Sequence, residues 1–163
     1  MGNRYLSSVS ISLREHILCF TAACIAAVFF AVNPVAALEL ITPAEAALPP
    51  GTAPSFTERG SPTRLPSITI LSPAGVGAVY SPLDFKLRFS AFGGAAIDPD
   101  SVAVAYIKQP DIDITARIKS FITAEGIDIT RAEMPPGLHQ FWIELKDTDG
   151  RVSAREFEFQ VVK

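Results

Sequence analysis

The chain has 163 residues, with 14 Lys and Arg against 17 Asp and Glu, a formal net charge of −3. That balance excludes nucleic acid as a partner, because phosphate recognition needs a basic face. It also argues against adsorption to an anionic membrane surface.

The N-terminus sets the compartment. Arg4 and Arg14 precede an apolar run from Ile17 to Val32, Asn33 and Pro34 break it, and Val35-Ala36-Ala37 offers small residues for a signal peptidase cut before Leu38. As a helix the run would rise about 24 Å, short of a bilayer core of about 30 Å. Residues 1–37 therefore read as a secretory signal, and the protein as periplasmic or secreted. The membrane is touched only through this segment, and only if it stays uncleaved. Both cysteines, Cys19 and Cys24, lie inside it, so the mature chain carries no disulfide. Cleavage leaves twelve basic and sixteen acidic residues, one histidine, His139, and one tryptophan, Trp142.

Residues 38–65, ending at Pro66, read as a proline-rich linker. Pro43, Pro49, Pro50, Pro54, Pro62 and Pro66 remove donors and fix φ, which predicts an extended tether with at most a helical turn at Ala44–Ala47.

From Pro66 to Lys163 the period is two. Ile68 and Ile70 alternate with Ser67 and Thr69. Leu83, Phe85, Leu87 and Phe89 alternate with Asp84, Lys86, Arg88 and Ser90, and Gly93-Gly94 ends that strand. The turn Asp98-Pro99-Asp100-Ser101 introduces Val102, Val104 and Tyr106. Ile112 and Ile114 suggest a short edge strand, stopped near Arg117 to Ser120, and Ile127 and Ile129 start another. Pro135-Pro136-Gly137 predicts a type II turn. It launches His139, Phe141, Ile143 and Leu145 inward, with Gln140, Trp142, Glu144 and Lys146 outward. Asp147-Thr148-Asp149-Gly150 closes a hairpin. The last strand carries Phe157, Phe159 and Val161, and its mismatch with Val152 and Ala154 predicts a bulge. About seven strands and no helical stretch give an all-β fold, an immunoglobulin-like antiparallel β-sandwich.

Ile68-Thr69-Ile70-Leu71-Ser72-Pro73, Ile97-Asp98-Pro99-Asp100-Ser101-Val102, Pro136-Gly137-Leu138-His139 and Asp147-x-Asp149-Gly150-Arg151 together resemble the bacterial Ig-like domains of exported proteins. The resemblance implies the fold of residues 66–163. It implies no single function, since such domains serve as spacers, binding modules and enzyme appendages.

The C-terminal half is also similar to the periplasmic copper carriers of resistance operons. Those have a histidine at the mature N-terminus and another after the Asp-Gly, where this chain has Leu38 and Arg151. With His139 and Met134 as the only such donors in the mature chain, no cofactor is expected. Asp98, Asp100, Asp147 and Asp149 are weak calcium candidates, and turn chemistry explains them better. His139 reads as a corner histidine bonded to a carbonyl. It lacks the nucleophile and orienting acid that catalysis requires, so the chain reads as no enzyme.

The expected function is a non-catalytic exported module binding a protein partner in the cell envelope. Trp142, Gln140 and Glu144 are the contact residues, since an exposed indole can anchor a partner. The alternatives are a carbohydrate- or cell-wall-binding module, in which the aromatic stacks on a glycan, and a membrane-anchored structural domain.

Overall fold

The computed structural model describes residues 37–54, 64–73 and 77–163. The expected signal at residues 1–37 lies, but for Ala37, outside these residues, and so do both cysteines. Nine strands are described: β1 Leu38–Glu39, β2 Ser67–Ser72, β3 Ala78–Tyr80, β4 Leu83–Ser90, β5 Ile97–Tyr106, β6 Ile112–Asp113, β7 Gly126–Glu133, β8 Gly137–Asp147 and β9 Val152–Val162. They form a four-stranded sheet in the order β1-β7-β4-β2 and a five-stranded sheet in the order β3-β9-β8-β5-β6. The architecture is an immunoglobulin-like β-sandwich. The two strands beyond the expected seven are β1 and β3, both very short, and both pair parallel at sheet edges, β1 with β7 and β3 with β9.

Alternation drives the core. Phe85 and Leu87 of β4 face Phe141, Ile143 and Leu145 of β8, and all are buried. Phe141 sits at the centre. Its ring lies 5.5 Å from Phe85 in an edge-on contact across the sheets, 5.2 Å from Tyr106 and 5.6 Å from Phe157. Such contacts add to burial, and the core has no disulfide among the described residues to support it.

Bulges adjust the alternation. Leu83 pairs with Ala132 and Phe85 with Ile129, so β7 holds one extra residue there. Arg131 takes it up at φ +60°, which turns Ala132 inward where Arg131 would otherwise point into the core. The expected turn at Asp98 lies within β5 as a larger bulge: Asp98 pairs with Lys146, but the next pair is Ala103 with Glu144. There Ser101 replaces a backbone group, its hydroxyl accepting from Lys146 N at 2.8 Å and donating to Asp98 O at 2.7 Å. Gly126 carries φ +153°, and a Cβ on it would come within 2.0 Å of Leu87 O. Only glycine permits that approach.

Four expectations change. First, the start of the supposed linker is packed against the sandwich. Leu38 and Glu39 pair with Ala132 and Glu133, and Leu40 and Ile41 are fully buried. Thr42 then caps α1, Pro43–Ala46, in a capping box with Glu45. Second, Thr115–Ile118 forms a helical turn, α2, followed by a 3₁₀ turn at Lys119–Phe121. Ile114 and Ile118, four apart and so on one face of a helical turn, are both buried beneath it. Third, β8 and β9 pair without a break from Gly137–Val161 to Lys146–Val152, so the expected bulge is absent. Ser153 and Arg155 hold the inward-parity positions, and Arg155 Nη1 reaches out to donate to Ile68 O at 2.7 Å. Fourth, Gly137 has φ +147°, far from the roughly +80° of a type II turn. It already pairs with Val161 as the first residue of β8, because this connection crosses between sheets and closes no hairpin.

Candidate functional site

The strand β8 carries the expected contact residues at the middle of the five-stranded sheet, between β5 and β9. Its inward side chains anchor it in the core, which fixes Gln140, Trp142 and Glu144 on the outer face, all half-buried. Trp142 lies opposite Ala105 on one side and Glu156 on the other. The indole is thus half-buried where the alternation pattern implied an exposed one. The Gln140 side-chain amide donates to Glu156 Oε1, which ties two members of this face together. Leu138 and Tyr80, both exposed, occupy outward positions toward the β3 end.

His139 points inward and is fully buried. Its Nε2 lies 2.8 Å from Pro135 O and its Nδ1 3.0 Å from the Tyr106 hydroxyl. A carbonyl only accepts, so Nε2 carries the proton, and Nδ1 accepts from Tyr106. Burial pushes the imidazole below its usual range. Burial likewise pushes the Tyr106 phenol up to about 12. Both ring nitrogens are occupied, so the neutral imidazole acts here as a core crosslink between β8 and β5. This is the carbonyl-bonded corner histidine that the sequence suggested.

The four aspartates lie at one end of the sandwich, since Asp98 pairs with Lys146 and Ile97 with Asp147. They serve the turns. Asp98 Oδ1 accepts from Asp100 N at 3.0 Å, and Asp100 pairs with Lys119 Nζ at 2.7 Å. Asp147 is buried and accepts from Asp149 N, Arg151 N and Arg151 Nε at 3.1, 2.9 and 2.6 Å. Burial pushes the Asp147 carboxyl up, but the Arg151 bonds outweigh it and hold the group below its ordinary value. Arg151 also pairs with Asp149 at 2.9 Å, so a guanidinium stands where a calcium ion would have to. No group of three or more His, Cys, Asp or Glu is placed to hold a metal among the described residues.

One feature escaped the sequence reading. The segment from Leu38 to Gly51 is a strap held by two cations. Arg117 makes a bidentate pair with Glu45, at 2.7 and 3.1 Å, and also donates to Leu40 O. That guanidinium holds the Glu45 carboxyl down at about 2. Lys108 Nζ donates to Ala46 O at 2.9 Å and Leu48 O at 3.3 Å, and sits 5.2 Å from the Tyr106 ring centre. The sequence signal was Thr42-Pro43-Ala44-Glu45, a capping box with proline at the first helical position. Beside the strap a cleft of about 270 Å³ is lined by Glu39, Ile41, Pro43, Ser81, Glu133 and Met134.

No known family model matches this chain, and no curated protein matches it. A similar solved structure is the crystal structure of CopC from Methylosinus trichosporium OB3b. It is 17% identical, the match covers 58% of this chain and 93% of that one, and the TM-score is 0.39. A likeness of that size carries nothing about ligand or activity. No helix of the described residues is long and apolar enough to cross a membrane.

Proposed function

We propose that this chain is a non-catalytic, exported Ig-like module that binds a protein partner in the cell envelope. The outer face of the five-stranded sheet is the contact surface, centred on Trp142, Gln140 and Glu144. The observation that carries this reading is their position: three adjacent outward side chains on the central strand β8, braced from behind by the aromatic core. Sites on rigid elements hold their geometry well. Export rests on the N-terminal pattern, and a mature start at Leu38 would exclude an anchored form.

The absence of catalysis is supported by His139, whose two nitrogens are committed to Tyr106 and Pro135. A glycan platform is less favoured. Of the tyrosines and tryptophan among the described residues, Tyr106 is fully buried, and Trp142 and Tyr80 remain. Trp142 pairs with Glu156 and Tyr80 with Val162, so about 20 Å of strand separates the two rings. That is too far apart to sandwich one sugar.

The test is in-cell photo-crosslinking from position 140, with position 69 on the outer face of the other sheet as control. Mass spectrometry would read the captured species and the mature N-terminus. One dominant protein captured from 140 and not from 69 supports the reading. Equal capture from both, or glycan-induced changes in Trp142 fluorescence without protein capture, refutes it.

A further inference from the structure

Among the described residues the two sheets end in β1 and β2, and in β3 and β6. The outer backbone groups of such strands can pair with a strand of another molecule. β1 and β6 hold two residues each and β3 three. β2, Ser67–Ser72, is the exception with six. Its neighbour shows which of its groups are open. Phe89 N donates to Glu125 O at 2.8 Å, and Leu87 O lies close against Gly126, so both residues of β4 turn their backbone groups toward β7. Their partners on β2, Ile68 and Ile70, therefore form non-hydrogen-bonded pairs with β4 and turn N–H and C=O to the free edge.

This edge has little protection of its own. Ser67-Ile68-Thr69-Ile70-Leu71-Ser72 holds no charge and is rich in β-branched residues, a composition that favours strand-to-strand association. Proline stands only outside it, at Pro66 and Pro73, and the irregularity at Leu71 leaves Ser67–Ile70 regular. β9 lies against β2 at the open side between the sheets. Where β3 does not reach it, β9 carries Arg155, Glu156 and Glu158.

Arg155 crosses that opening. Its pairing with Ile143 gives it an inward-parity position, and yet it is exposed. Its Nη1 donates to Ile68 O at 2.7 Å. A charge on an inward position beside a free strand is one of the devices that blunt an edge. The guanidinium stands where the N–H of an incoming strand would have to come.

We infer that the free edge of β2 is a self-pairing surface, complementary to the same edge of a second copy of this chain, and that Arg155 holds it shut. Two β2 strands related by a two-fold axis at Thr69 run antiparallel. Ile68 then lies opposite Ile70 of the copy, and the edge-facing groups of both exchange N–H···O bonds. Thr69 meets Thr69 of the copy, a compatible cross-strand pair. A second copy is the occupant because the two isoleucines supply donors and acceptors in one register, so the edge is its own complement. It belongs to the other sheet from the proposed contact face, and the inference stands apart from that reading.

The test compares the parent with Arg155→Met, Arg155→Lys and Arg155→Met/Thr69→Lys, each purified from cells. Sedimentation velocity over a wide range of concentration reads association, and amide hydrogen exchange reads the edge. Arg155→Met should associate at a concentration lower than the parent's by about tenfold or more. Arg155→Lys keeps a charge and a donor and should behave as the parent does. Adding Thr69→Lys should undo the association, because like charges would meet at the two-fold axis. The Ile68 and Ile70 amides should gain protection in associated Arg155→Met. Urea unfolding checks that this variant is folded; if it is not, Arg155→Gln, two bonds shorter than arginine, takes its place. Association no stronger than the parent's, association that Thr69→Lys leaves intact, or association without protection at Ile68 and Ile70 would each overturn the inference.

Discussion

Replacing Leu40 with alanine separates a docked strap from a loose tether. Leu40 is fully buried; its N–H donates to Glu133 O at 2.9 Å, and its carbonyl accepts from Arg117. Deleting three side-chain carbons at such a site costs the transfer free energy plus a cavity term, about 2–5 kcal/mol in all. The strap lies at a sheet edge and can settle inward, so the lower half of that range applies, about 3 kcal/mol. With a urea slope of about 1.5 kcal/mol per molar, the unfolding midpoint should fall by about 2 M with the slope unchanged. Equilibrium urea unfolding followed by far-UV circular dichroism measures this directly. A tether would respond by less than about 0.5 kcal/mol. A loss below about 1 kcal/mol would therefore refute the docked strap, whatever the fate of the rest of the sandwich.

Arg117→Ala should cost about 1 kcal/mol at pH 7, as a partly exposed pair does. Because Arg117 holds Glu45 at about 2, against an ordinary 4.5, the stabilisation is present above pH 4.5 and lost as pH falls toward 2. Paired urea titrations at pH 7 and pH 3 should show the gap closing, and a constant gap would remove the ion pair as its source. His139 is held neutral by burial, so the unfolded chain takes up its proton first. Stability present above pH 6.5 then falls below it, by at most about 1.4 kcal/mol per pH unit. His139→Gln should flatten that slope between pH 7 and 5.5, and an unchanged slope would assign it elsewhere. Gly126→Ala should cost about 3 kcal/mol, because the new Cβ meets Leu87 O at 2.0 Å. A Tm within two degrees of the parent would show that this bend of β7 gives way.

The strands with a long period-two pattern were legible. Leu83–Phe89 and His139–Leu145 write their inward faces plainly, because each covers a core wide enough to need four alternating residues. Position 139 was also readable, since a glycine turn followed by one inward histidine leaves it few uses besides a carbonyl bond. The strap was masked by its prolines. Two apolar residues, Leu40 and Ile41, are too few to show a period, and a two-residue parallel strand takes its pairing wholly from β7. The bulge at Arg131 was invisible for a different reason. Its cause is the inward demand for Ala132, which exists only once β4 and β7 are paired. Gln140, Trp142 and Glu144 were placed on one outer face by alternation alone. Which side chains flank them depends on which strands pair with β8, and that no local pattern contains.

The strap also imposes a waiting time. Leu38 must reach Ala132, ninety-four positions later, and the clamp on Glu45 waits for Arg117. At about 5–20 residues per second of synthesis, Leu40 and Ile41 remain without their packing partners for roughly 5–20 s. Once β1 has joined β7, the backbone from Leu38 is engaged in a sheet, so a protease that were to cut before Leu38 would meet an undocked strand only in that interval.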